Sequence, residues 1–219
     1  MENPIEDMYE GQSVPELKRK KVGLISIDIQ YHDAAIGYGF FKDAKREDHS
    51  YYFDRLDDVV FPTVNKLQEL FRSEGLEVIH VRIEALTADG RDRSLEHKRI
   101  GCHVPKGSKA AEIMPQVAPK DDEIVLSKTA SGVFNSTNLE YVLRNLGIDQ
   151  LVTVGVLTNE CIETAVRDGA DKGFTMYIVD EGTAALTPEL HESSMKVLNG
   201  VYGYRVSAEQ IIDMVKNSK

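Results

Sequence analysis

Two cysteines in 219 residues are too few for a disulfide framework. No run of about 18 apolar residues is present to span a bilayer. Positive charge is scarce: 26 lysines and arginines stand against 36 aspartates and glutamates, a formal net charge of −10. That balance argues against nucleic-acid binding and against adhesion to acidic membranes. The basic run Lys18-Arg19-Lys20-Lys21 reads as a solvated flank of the first strand. The opening residues, MENPIEDMYEG, have no apolar signal-peptide core, so the cytoplasm is the expected compartment. No G-x-G-x-x-G follows the first strand, which disfavours a dinucleotide site. Internal repeats and low-complexity linkers are also lacking.

What is there fits one enzyme-sized domain. Apolar residues make up 42% and charged residues 28%, the range of a globular chain. Apolar, β-branched runs predict strands at about 22–28, 76–83, 123–127, 150–156 and 174–180, with a short sixth at 203–206. Helical patterns lie between them. Asp54 to Ser73 has helical spacing, with Pro62 as a break, a kink or a start. A second helix covers 138–145, capped by Ser136 or Thr137 and stopped by Gly147. Thr187-Pro188-Glu189 opens a third, and Ser207 to Gln210 reads as a capping box. This alternation predicts a single-domain α/β fold: a doubly wound, Rossmann-like sheet of mostly parallel strands with helices on both faces. Residues 1–20 read as an N-terminal extension and 21–219 as the domain.

Three chemistry-bearing residues fall at carboxyl ends of these strands, where open α/β sheets bind ligands. Asp28 ends the buried run KVGLISIDI, a costly place for a carboxylate without a partner or a role. Lys128 follows the strand Glu123 to Ser127 and leads into Thr129-Ala130-Ser131-Gly132. Cys161 sits where the strand Leu151 to Val156 breaks through Leu157-Thr158-Asn159 into a helix. With Thr158 or Asn159 as cap, its thiol lies in the first helical turn and is expected to lose its proton more easily than a free cysteine. Each residue alone has a plain alternative: a turn carboxylate, a solvated lysine, a buried structural thiol. Their coincidence points to one crevice.

The segments ISIDIQ (25–30), IVLSKTASGVFNST (124–137) and VTVGVLTNECIETAVRDGADKGF (152–174) carry a resemblance to the isochorismatase-like cysteine hydrolases, from about Lys21 to Ile212. The resemblance implies Asp28, Lys128 and Cys161 as the catalytic Asp, Lys and Cys, and a cis peptide between Val156 and Leu157. It further implies that the thiol attacks an amide or ureido carbonyl to form a thioester that water then hydrolyses. In that reading Asp28 moves protons, Lys128 favours the charged forms of its neighbours, and the N–H groups of Leu157 and Cys161 form the oxyanion hole. Isochorismatases cleave a vinyl ether and often lack the cysteine, so its presence favours carbon–nitrogen bond hydrolysis. The nicotinamidase Asp-x-His metal motif is missing from HVRIEALTADGRDRS (80–94), and no metal or cofactor is expected. A homo-oligomer, dimer or tetramer, acting on a small amide or ureido substrate is also implied.

Substrate contacts are sought near the presumed nucleophile. Gln30, Tyr31 and His32 follow the first strand, Phe134 and Asn135 follow Lys128, and Thr158 and Asn159 precede Cys161. The amides of Gln30, Asn135 and Asn159 suit a ureido ligand, though each is also an ordinary turn or cap residue. Arg82 is a candidate for a substrate carboxylate, with a structural ion pair as the alternative. The segment 37–50 reads as a lid or a subunit contact. Cys102, beside His103 and near His97, lacks the ligand spacing of a metal site. Vinyl-ether hydrolysis and a non-catalytic binding role stay open as alternatives.

Overall fold

The computed structural model describes residues 13–218; the first twelve residues of the expected extension 1–20, including the acidic opening segment, lie outside them. Six strands form one sheet in the order β3-β2-β1-β4-β5-β6. They are β1 (Val22–Ile27), β2 (Glu77–Ile83), β3 (Ile124–Lys128), β4 (Gln150–Val156), β5 (Thr175–Ala184) and β6 (Tyr204–Val206). Every neighbouring pair is parallel, so the expected mostly parallel sheet is wholly parallel. The strand order reverses between β1 and β4, and the crevice at their carboxyl ends is the topological switch point.

Alternation within the strands builds the two cores. Val22 and Leu24 of β1, with Val152 and Val154 of β4, face Val64, Leu67, Phe71 and Ile211 on one side. Ile25, Ile27 and Leu151 face Leu139, Leu143, Ile162 and Val166 on the other. The covering helices are α1 (Ser50–Arg55), α2 (Phe61–Ser73), α3 (Leu139–Leu146), α4 (Glu163–Asp171), α5 (Pro188–Leu198) and α6 (Ala208–Asn217). None is long and apolar enough to cross a membrane.

The helix expected over 54–73 is longer, because α1 runs into α2 through a π turn at Leu56–Val60. Pro62, in the first turn of α2, has no N–H to donate and would crowd the carbonyl four residues back; the wider turn before it makes room. Asn138, rather than Ser136 or Thr137, is the N-cap of α3 and makes no side-chain cap; Thr137, one residue earlier, accepts the Leu139 N–H at 3.0 Å, and Gly147 closes the helix at φ 72°. Thr187 caps α5, and Ser207 and Gln210 form the capping box of α6. β5 outruns its expected end by four residues, past a register irregularity opposite Thr153 and Gly155.

Gly155 is the position where the fold requires a glycine. Its φ is 129°, and a Cβ there would lie 2.0 Å from the Ile27 carbonyl oxygen. Its bare backbone lets β4 press against the end of β1, immediately before Asp28.

Candidate active site

Asp28 leaves β1 with φ 55°, a left-handed conformation that aspartate tolerates better than most residues. Its N–H donates to Val81 O at 2.9 Å, which anchors the turn to β2. Lys128 is the last residue of β3, and its side chain, with no exposed surface, reaches back over the sheet. Its Nζ lies 3.0 Å from Asp28 Oδ2 and 3.2 Å from Cys161 Sγ. The same ammonium donates to the carbonyls of Ala130 (3.0 Å) and Ser131 (3.1 Å), so the loop after β3 fixes its position. Asp28, Lys128 and Cys161 therefore meet in one buried cluster at the switch point.

Cys161 lies on a π turn, Thr158–Ile162, that leads into α4. The peptide Val156–Leu157 is cis. Leu157, rather than Thr158 or Asn159, is the N-cap, and no side chain caps the turn. The Leu157 carbonyl accepts from the N–H groups of Glu160 (3.1 Å) and Ile162 (3.2 Å), stepping over that of Cys161.

The protonation pattern departs from expectation. Burial pushes the Cys161 thiol well above its ordinary value; the Lys128 ammonium pulls it down, but the Asp28 carboxylate beside it pushes it further up. The position in the first turn of a helix does not overcome that burial. Burial also raises the Asp28 carboxyl to about 6, against the pull of Lys128 and with the push of Asp33. Burial opposes the Lys128 charge, yet the two groups beside it hold its pKa above the ordinary lysine value. At neutral pH the cluster thus holds a thiol, a carboxylate and an ammonium. Both carboxylate oxygens of Asp28 are buried without a well-aligned hydrogen bond, Oδ2 being held by the ion pair to Lys128, which leaves the group free to accept a proton.

The substrate-contact candidates divide. Gln30 is fully buried and its amide is consumed: Nε2 donates to Ile83 O and Ala110 O, both at 3.0 Å, and Oε1 accepts the Ile83 N–H. Arg82 pairs with Glu84 at 2.8 Å, the structural alternative. Phe134 packs on Phe174 in the core, and Asn135 donates to Asp168 at 2.6 Å. Thr158 is buried, with its hydroxyl 2.9 Å from His191 Nδ1. His191 in turn lies 3.1 Å from Asp180. Tyr31 lies edge-on to Tyr38, under Lys109. His32 is buried against Asp33 (3.0 Å), with Cys102 Sγ 4.0 Å from its other nitrogen. Asn159 keeps a buried Oδ1 without a partner. Among the described residues, no group of three or more His, Cys, Asp or Glu side chains is arranged to hold a metal.

Two acids that sequence reasoning did not single out as site residues stand at the opening. A cavity of about 410 Å³ is lined by Asp33, Phe40, Phe41, Leu157, Glu160 and Leu186, among others. Leu157 caps the π turn that carries Cys161, Glu160 directly precedes Cys161 on it, and Asp33 acts electrostatically on both Asp28 and Cys161. Asp28, Lys128 and Cys161 lie behind this cavity rather than on its wall, which runs along the turn that carries Cys161. Phe40 and Phe41 belong to the segment 37–50, which here forms one wall of it. The signal in the sequence was a carboxylate five residues past Asp28 and another next to Cys161.

A family model described as the isochorismatase domain matches residues 23–210. Nicotinamidase 3 of Arabidopsis thaliana is 32% identical over 100 residues, covering 46% of this chain and 50% of that protein. N-carbamoylsarcosine amidase of an Arthrobacter species is 26% identical over 160 residues, covering 71% and 61%. The chain thus spans half to about three fifths of these two relatives. The solved structure of a cysteine hydrolase from Pseudomonas syringae pv. phaseolicola 1448A superposes with a TM-score of 0.79 at 18% identity, covering 95% of this chain and all of that one; this likeness is one of fold.

Proposed function

The chain belongs to the isochorismatase family of hydrolases, and on that premise we propose that it cleaves a carbon–nitrogen bond of a small amide, ureido or carbamoyl compound through a thioester on Cys161. The observation that carries this reading is the buried contact of Lys128 with both Asp28 and Cys161. Two relatives named as amidases, one for nicotinamide and one for N-carbamoylsarcosine, support the bond type.

The steps follow from the resting protonation state. As Sγ attacks the carbonyl carbon, the Asp28 carboxylate takes the thiol proton; a carboxyl raised to about 6 is a better base than an ordinary aspartate. Lys128 stays charged and offsets the negative charge while it passes from carboxylate to sulfur. The carbonyl oxygen becomes an oxyanion, for which the N–H groups of Leu157 and Cys161 are the proposed donors. Collapse of that intermediate breaks the carbon–nitrogen bond, and Asp28 hands its proton to the leaving nitrogen. Water then attacks the thioester, giving one proton to Asp28. The carboxylic or carbamic acid departs, and Asp28 returns the proton to sulfur. A homo-oligomer, dimer or tetramer, belongs to the same proposal and is read by light scattering.

The experiment is ammonia release from biuret, ureidoacrylate, N-carbamoyl amino acids and nicotinamide, wild type beside Cys161→Ala. Release that depends on Cys161 is expected from at least one. Silence across the panel from folded protein would count against the reading.

A further inference from the structure

The geometry points to charge selection by the cavity: it takes an uncharged or cationic amide with a flat apolar body and excludes substrates that carry a carboxylate. This rests on the amidohydrolase reading and narrows its substrate class.

The walls set the body of the ligand. Phe40 is 51% exposed and Ile100 47%, large apolar side chains left uncovered at the rim of the cavity. Leu157 and Leu186 continue that surface inward. A volume of about 410 Å³ lies in the range of small-molecule sites.

The charges set its polar groups. Asp33 is 9% exposed and lines the cavity, and its Oδ2 is buried with no hydrogen-bond partner. An orphaned buried acceptor is costly, and a second acceptor brought near it adds repulsion. Glu160 stands at the rim, where partial burial and the charges of Asp33 and Glu96 raise its carboxyl, against the weaker pull of Lys128. The cations nearby are already matched: Lys128 by Asp28 at 3.0 Å, and His32 by Asp33 at 3.0 Å. His49, edge-on to Phe41, is the other titratable group on the wall. Glu160 remains on the wall as negative charge without a salt-bridge partner among the described residues. Arg82, the cation the sequence offered for a substrate carboxylate, is held by Glu84. Among the described residues that line the cavity no lysine or arginine stands ready for an entering carboxylate, which meets like charge instead.

Three matched probes test this: benzamide, 4-(aminomethyl)benzamide and 4-carbamoylbenzoate. Their binding to Cys161→Ala is measured by calorimetry, and their ammonia release by wild type. The carboxylate probe is expected to bind about tenfold or more weakly than the other two, the effect of a like charge a few ångströms away in a partly buried site. Glu160→Gln should narrow the gap, and Glu160→Arg should reverse it. Equal or tighter binding of the carboxylate probe, indifference to Glu160→Arg, or no binding by any of the three would overturn the inference. The two readings fail separately. Cys161-dependent release that favours the carboxylate probe overturns charge selection and keeps the amidohydrolase. Charge-ranked binding with no release from any amide keeps charge selection and counts against the amidohydrolase.

Discussion

Lys128 and Asp28 form an ion pair with almost no exposed surface, Nζ to Oδ2 3.0 Å, and the same ammonium stands 3.2 Å from the thiol of Cys161. One cation thus faces two groups that compete for one proton. Removing two charges from water is costly, and the mutual attraction of the pair, with the Ala130 and Ser131 carbonyls on the ammonium, offsets that cost.

Breaking that pair leaves a bare buried carboxylate. Lys128→Met is expected to destabilise the fold by about 3–5 kcal/mol, read as a shift in denaturant midpoint, and to abolish turnover. Lys128→Met combined with Asp28→Asn removes both charges and should recover part of the stability but none of the activity.

The pH profile follows from Asp28. Its carboxyl must be ionised to accept the thiol proton, and its pKa is raised to about 6. kcat/KM should therefore fall as pH drops through about 6, with a slope of one proton. The stability sign runs the other way: a carboxyl raised in the folded state binds its proton more tightly there, so this group favours the fold below about 4 and loses that contribution as pH rises through about 6. An acid limb near 4, the ordinary aspartate range, would remove Asp28 from the role of base.

On the turn that carries Cys161, Thr158 Oγ1 lies 2.9 Å from His191 Nδ1, and His191 Nε2 lies 3.1 Å from Asp180. This chain ties α5 and the middle of β5 to the turn that carries Cys161. Thr158→Val keeps the shape but leaves His191 Nδ1 unpaired. It should cost about 1–3 kcal/mol of stability and lower kcat more than it raises KM, as expected for a positioning residue.

Gly155→Ala tests the close approach of β4 to β1. A Cβ 2.0 Å from Ile27 O forces backbone movement directly before Asp28. Loss of soluble folded protein, or a fold with severely reduced activity, is expected. A well-folded variant at full activity would show that the strands can separate without moving Asp28.

Strand ends carried most of what the sequence made legible. Asp28, Lys128 and Cys161 each punctuate an apolar run, and in a parallel sheet such positions converge. Side-chain amides were less legible, because hydrogen bonding across the fold decides their role. Gln30 looks like a ligand contact in sequence, yet it ties β2 to the segment around Ala110, 80 residues away in the chain. The thiol was misread for a similar reason: the helix start is local and visible, whereas the burial that raises its pKa comes from distant elements. Asp33 and Glu160 carry only the signal of closeness in sequence to Asp28 and Cys161, which does not by itself separate a cavity-lining acid from a solvated one.

The most direct test is the turnover of Cys161→Ala beside wild type, on whichever amide the wild type hydrolyses. A fall of about 10⁴-fold or more in kcat, with the variant folded and still binding the amide, is the expected result. Turnover within tenfold of wild type would contradict a thioester mechanism and remove Cys161 from the chemistry.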